Sequence, residues 1–206
     1  LIQRLVTSNP SNDYLRRVAA VFADNGAGMR GDLKAVLRAI LLDAEARGED
    51  FASRPHYGKQ REPVIRFATF LRGLGAASDN GENDIHYLDS ADDGLGQSPL
   101  LAPSVFNFYS PNFRPAGPLA AAGLVAPEFQ ITSETTVVGS MNFFATLFDT
   151  GGYGSGLSRL RLDYAPLVAL AATPDGLVDR LDQLFFNRSM AASTRSRLLT
   201  LLAGLT

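Results

Sequence analysis

Hydrophobic positions in this chain fall into helical stripes toward both ends and lose that period in the middle. Leu1, Ile2, Leu5 and Val6 fit one face of a helix. Ser11 is placed as the N-cap of a helix running through Asp24, with Tyr14, Leu15, Val18, Val21 and Phe22 as its stripe, and Asn25-Gly26 supplies a left-handed stop. A second helix is predicted from Gly31-Asp32 to Arg47-Gly48, with Leu33, Val36, Leu37, Ile40 and Leu41 facing inward. A third starts at Pro63, a residue suited to the first helical turn, carries Val64, Phe67, Phe70, Leu71 and Leu74, and ends at Gly75. Thr132 or Ser133 caps another, whose apolar positions are Val137, Val138, Met141, Phe144, Ala145 and Phe148. Thr173-Pro174-Asp175 sets an N-cap, a proline and an anion at the positive end of a helix dipole, ahead of Leu177, Val178, Leu181, Leu184 and Phe185. After a turn at Asn187 to Ser189, Leu198, Leu199, Leu201 and Leu202 lie on a last helix ending at Gly204. The short connection makes these two an antiparallel pair.

Between the stripes, Ala76 to Gly94 is polar and acidic, and Leu95 to Leu157 carries only Arg114, Glu128, Glu134 and Asp149 as charges. Pro99, Pro103, Pro111, Pro115, Pro118 and Pro127 forbid long helices in its first half. Gly151 to Gly156 reads as a flexible loop without a phosphate-binding pattern, and no alternating stretch is long enough for a sheet. The expected fold is all-α, a helical bundle-like domain containing a long irregular segment rich in proline and aromatic residues. The expected organisation is N-terminal helices over 1–75, the acidic loop and irregular segment with one helix over 76–157, and the antiparallel pair over 158–206. These are expected to form one domain of a longer chain, because the first residue is Leu1 and its helix begins without a capping residue.

Composition narrows the chemistry. With 19 Lys plus Arg against 21 Asp plus Glu, the net charge of −2 gives no electrostatic footprint for nucleic acid. The absence of Cys removes disulfides, thiolate nucleophiles and Cys-ligated metals, and 2 His residues cannot build a three-His site. No apolar run approaches the ~20 residues of a membrane span, so a soluble piece is expected.

Four groups of residues carry candidate chemistry. His86 sits among carboxylates and is a candidate base, although neither it nor His56 has a metal-binding partner at helical spacing. Asp79, Asn83, Asp84, Asp89, Asp92 and Asp93 offer hard oxygen ligands, and calcium wants about six to eight of them. Their spacing does not match an EF-hand loop, and a solvated acidic turn is the competing reading. Ser104 is a candidate nucleophile, but no G-x-S-x-G elbow surrounds it, and turn capping is the competing role. Phe106, Phe108, Tyr109 and Phe113, set among prolines, are interface candidates; otherwise they pin the irregular segment onto the helical core.

Two stretches carry a family resemblance. One is Leu1-Ile2-Gln3-Arg4-Leu5-Val6-Thr7-Ser8-Asn9-Pro10-Ser11 with Val21-Phe22-Ala23-Asp24-Asn25-Gly26 and Gly31-Asp32-Leu33. The other is Leu95-Gly96-Gln97-Ser98-Pro99-Leu100, Ala102 to Tyr109, and Ala126-Pro127-Glu128-Phe129-Gln130-Ile131. Together, and with Leu177 to Leu181, they resemble the C-terminal portion of the bacterial family called domain of unknown function 1800. The resemblance implies a longer exported chain, a periplasmic or extracellular setting, and as partners the preceding part of the same chain or another exported protein. It supplies no catalytic residues. The function expected from these observations is a non-catalytic structural or interaction portion, with a hydrolase-like enzyme whose site is shared with a preceding part as the alternative.

Overall fold

In the computed structural model, which describes residues 1–52 and 54–204, the chain is mostly helical. The helices are α1 (Ile2–Leu5), α2 (Asn12–Ala23), α3 (Leu33–Leu42), α4 (Ala44–Arg47), α5 (Glu49–Ala52), α6 (Pro63–Gly73), α7 (Pro118–Ala121), α8 (Glu134–Thr150), α9 (Ala165–Val168), α10 (Pro174–Leu181) and α11 (Ala192–Ala203). Two short strands, β1 (Gly152–Tyr153) and β2 (Leu160–Arg161), pair antiparallel with Gly152 opposite Arg161. The fold is therefore not purely all-α. Each strand is two residues long, too short to print an alternating pattern in the sequence. Within the glycine stretch read as a flexible loop, Gly152 and Tyr153 form one side of this ribbon. A Cβ on Gly152 would sit 2.0 Å from the Leu160 carbonyl oxygen, so the strands approach only because that position has no side chain.

The chain divides into two compact units. The first joins Leu1–Glu62 to Leu100–Val137. In it Ser11 accepts the Tyr14 amide through its hydroxyl, capping α2, while Glu45 takes the Ser11 amide at 2.9 Å. Tyr14 and Val18 of α2 meet Val36 and Ile40 of α3 in a core that Ile2 completes. The long second helix expected from the sequence breaks at Asp43. That carboxylate caps α4 through the Glu45 amide and holds Arg17 with two 2.7 Å hydrogen bonds.

Tyr14 is fully buried and donates a 2.6 Å hydrogen bond to the Ile40 carbonyl. Burial, then the charge of Asp43, pushes its phenol up from 10.0 to about 12. The folded value lies above the unfolded one, so this contribution to stability is complete below pH 10 and is lost as pH rises through about 12. Tyr14→Phe is expected to cost about 1 kcal/mol in neutral urea melts and to flatten the decline in stability above pH 10; an unchanged alkaline limb would contradict the assignment.

The second unit joins Pro63–Pro99 to the chain from Val138 onward. The Gln97 side-chain oxygen accepts the Val64 amide at 3.1 Å and so caps α6 from a distance. Phe67, Phe70, Leu71 and Leu74 of α6 pack with Leu88, Leu95, Phe143, Leu147, Leu160 and Leu162. On α8, Ser133 and Thr136 cap each other's amides as expected, but the buried face differs from the predicted stripe. Gly139, Ser140, Phe143 and Leu147 face inward, and Val137, Val138, Met141 and Phe148 are exposed. Thr173 precedes α10 but makes no cap bond; its hydroxyl turns back to the Leu170 carbonyl. Helices α10 and α11 run antiparallel, with Met190 donating to Asp182 near the turn and Arg195 bridging Asp179 and Asp175 farther along.

Candidate functional site

The proline-bounded segment after Pro99 forms an arch whose apolar side chains point outward. Leu100 is fully exposed, Val105 is 95% exposed and Phe106 75%, with Leu101 exposed beside them. The backbone turns sharply here, and local hydrogen bonds shape its second half. Leu100 and Asn107 both adopt left-handed φ values, +64° and +72°, which are costly for a leucine. Ser104 accepts the Phe106 amide at 3.1 Å, and the Ser110 amide donates to the Gln130 side chain at 2.7 Å. A groove of about 470 Å³ lies along the arch, lined by Pro103, Phe106, Phe108, Pro111 and Gln130.

The foot of the arch is Tyr109, whose buried hydroxyl donates to Glu62 at 3.0 Å. Arg4 completes this cluster, reaching Glu62 at 2.8 Å and also the Tyr109 oxygen. Beside it Lys59 pairs with buried Glu128 at 2.7 Å and donates to the Arg4 carbonyl at 2.8 Å. The second oxygen of Glu128 is buried without a hydrogen-bond partner. Of the four interface candidates, Phe106 is exposed, Phe108 and Phe113 are half-buried, and Tyr109 is the anchor.

The acidic loop does not close on one point. Asp79 pairs with Arg161, Asp84 with His86, and Asp93 takes the Ser90 hydroxyl. Asn83, Asp89 and Asp92 are exposed. Among the described residues, no three His, Asp or Glu side chains converge on a shared position. His86 and Asp84 do meet, through Nε2 and Oδ1, with both side chains about half exposed. Ser104 is exposed, and its hydroxyl serves the Phe106 amide and the Asn107 carbonyl.

Two further hollows were not anticipated from the sequence. In the first unit, Leu15, Val18 and Phe22 of α2 and Val36 and Ile40 of α3 line a largely apolar cavity of about 700 Å³, with Arg114 at its margin. In the second, a cleft of about 440 Å³ lies beside β1, among Tyr87, Asp93, Phe143, Tyr153 and Arg159.

The profile of the family described as protein of unknown function (DUF1800) matches residues 1–206. The chain belongs to this family. No curated protein and no solved structure gives a match. Several of the residues that signal DUF1800 membership in the sequence hold backbone in place. Thr7 exchanges hydrogen bonds with Gly58, donating to its carbonyl at 3.1 Å and accepting its amide at 3.0 Å. Asn9 brackets Val125 in the same way, with both bonds at 2.9 Å. Asp32 caps α3 through the Ala35 amide, and Gln97, Ser104, Glu128 and Gln130 hold the positions already described. Their side chains have a structural role, while Leu100, Val105 and Phe106 of the same stretches are exposed.

Among the described residues, no helix is long and apolar enough to cross a membrane.

Proposed function

We propose that this DUF1800 chain is a non-catalytic interaction portion of an exported bacterial protein, and that the arch from Leu100 to Phe106 is its contact surface. The observation that carries this reading is the outward exposure of Leu100, Leu101, Val105 and Phe106 on backbone that Ser104, Asn107 and Tyr109 hold in place. Apolar side chains presented on a rigid frame bind with little ordering cost, and an aromatic among them supplies a natural anchor. The favoured partner is the preceding part of a longer family chain, in keeping with the sequence resemblance, and a periplasmic or extracellular setting follows from the same source. Another exported protein is the alternative partner.

Hydroxyl-radical footprinting of the 206-residue chain against a longer family chain tests this directly. Leu101, Val105 and Phe106 are expected to label strongly in the first and at least about fivefold less in the second, as for side chains in the dry centre of an interface. Equal labelling in both would remove the preceding part of the chain as partner. Release of the labelling difference by Val105→Asp would tie it to the arch itself.

The enzyme reading rests on one observation, the His86–Asp84 pair, in which a carboxylate orients an imidazole. Such a pair is half of a general-base arrangement. It would need a nucleophile from elsewhere, since the Ser104 hydroxyl is engaged with backbone. Loss of a hydrolytic activity of the longer chain on His86→Gln would establish it.

A further inference from the structure

The cleft beside β1 has a composition that the interaction reading does not use. Its volume of about 440 Å³ falls within the roughly 300–1,000 Å³ of small-molecule sites. Tyr87 stands at its edge, 87% exposed, with left-handed backbone at φ +56°. Ring-bearing residues avoid that conformation unless their surroundings impose it. Here both neighbours are pinned. Leu88 is fully buried and its carbonyl accepts the amides of Leu95 and Gln97, while the His86 carbonyl accepts the Tyr153 hydroxyl. The Tyr87 ring is thus held out toward solvent, edge-on to the His86 imidazole at 5.5 Å.

Tyr153 and Phe143, 5.8 Å apart, also line the cleft and supply aromatic wall. Two polar groups complete the cleft. Asp93 accepts the Ser90 hydroxyl through Oδ1 and is exposed at the cleft. Arg159 donates through one terminal nitrogen to the Thr150 carbonyl, while its buried Nε has no acceptor.

We propose that this cleft is a carbohydrate-binding site that takes a neutral pyranose ring. The apolar C–H face of a pyranose packs on an aromatic ring, and an exposed, fixed tyrosine offers such a face without ordering cost. Sugar hydroxyls both donate and accept. One can donate to an Asp93 carboxylate oxygen while its neighbour accepts from the Arg159 guanidinium, since both side chains line the cleft. A carboxylate and a guanidinium in the same cleft leave no net charge to favour a phosphate or an ammonium ligand.

Titration of the intact 206-residue chain with maltose and cellobiose, followed by amide NMR, tests the site, with adenosine and sodium phosphate as comparators. Saturable shifts at Tyr87, Gly152, Gly154 and Arg159 are expected with at least one disaccharide. Tyr87→Gly suits the left-handed backbone, so it is expected to fold as well as the parent while binding about tenfold more weakly, and Tyr87→Phe is expected to bind nearly as the parent does. Asp93→Asn is expected to weaken binding several-fold, as for one charge-assisted hydrogen bond. Absence of saturable shifts with both disaccharides would overturn the proposal. So would shifts that Tyr87→Gly leaves unchanged, or tighter binding of adenosine or phosphate at the same residues.

Discussion

Gly139→Ala is expected to destabilise the chain by about 3 kcal/mol or more, in the upper range for overpacking. Helix propensity alone predicts the opposite, a gain of about 1 kcal/mol for replacing a mid-helix glycine. The steric term decides the sign. An added Cβ would lie 2.1 Å from the Ala91 carbonyl oxygen and 2.9 Å from its carbon, so the obstacle is backbone and no side chain can swing aside. Nor is the facing loop free to retreat. It is tied by the Leu95 amide to Leu88 and the Gly96 amide to Ser90, and Gly94 is itself packed 2.7 Å from the Ser90 oxygen by the same measure. Urea melts of the variant and parent give the result. A variant within 1 kcal/mol of the parent, against that expectation, would mean that α8 is not pressed against Ala91.

Phe67→Ala is expected to cost about 3–5 kcal/mol, the range for removing a buried ring without refilling its space. Phe67 is essentially inaccessible and meets Phe143 and Tyr153 edge-on at 5.2 and 5.4 Å. Aromatic pairs of this geometry add to the area term. Phe67→Leu retains part of the volume and is expected to lose about half as much. Thermal or urea unfolding of both variants measures the difference. Because Tyr153 rests on Phe67, the alanine variant is also expected to shift the amide resonances of β1. Unperturbed resonances there would contradict the packing.

Much of the helical framework is readable in the sequence because its signals are local. Ser11 ahead of Tyr14, Pro63 at the head of α6 and Gly204 at the end of α11 each act within one turn. What escapes the pattern is decided by partners far along the chain. Asp43 interrupts the α3–α4 stripe because Arg17 and the Glu45 amide both claim it. On α8 the sequence presents two plausible faces, and the bulkier one, with Val138 and Met141, is the one expected inside. The close approach of Ala91 selects the face with Gly139 and Ser140 instead. Small residues give no hydrophobic signal, so a helix packed against backbone is easily placed in the wrong phase. The candidate surfaces divide in the same way. The exposed Phe106 and the pairing of His86 with a nearby carboxylate follow from their immediate neighbours. The cleft beside β1 depends on Tyr87, Asp93, Tyr153 and Arg159 meeting from separate segments, and no spacing rule connects them.

The Asn9–Val125 bracket has a consequence for synthesis. Its partners are 116 residues apart, and the compact unit that they close is interrupted by Pro63–Pro99, which belongs to the other unit. A ribosome therefore releases Asn9 long before Val125 exists, and α1 to α4 must wait as an unfinished half. The second unit waits too, since Phe67 and Leu88 emerge well before Phe143 and Leu147 complete their core. Contacts of such wide separation fold slowly, and the unfinished halves keep apolar surface open in the meantime. A nascent chain stalled anywhere before Val125 contains neither unit complete, so a chaperone has the most to hold while these residues are emerging.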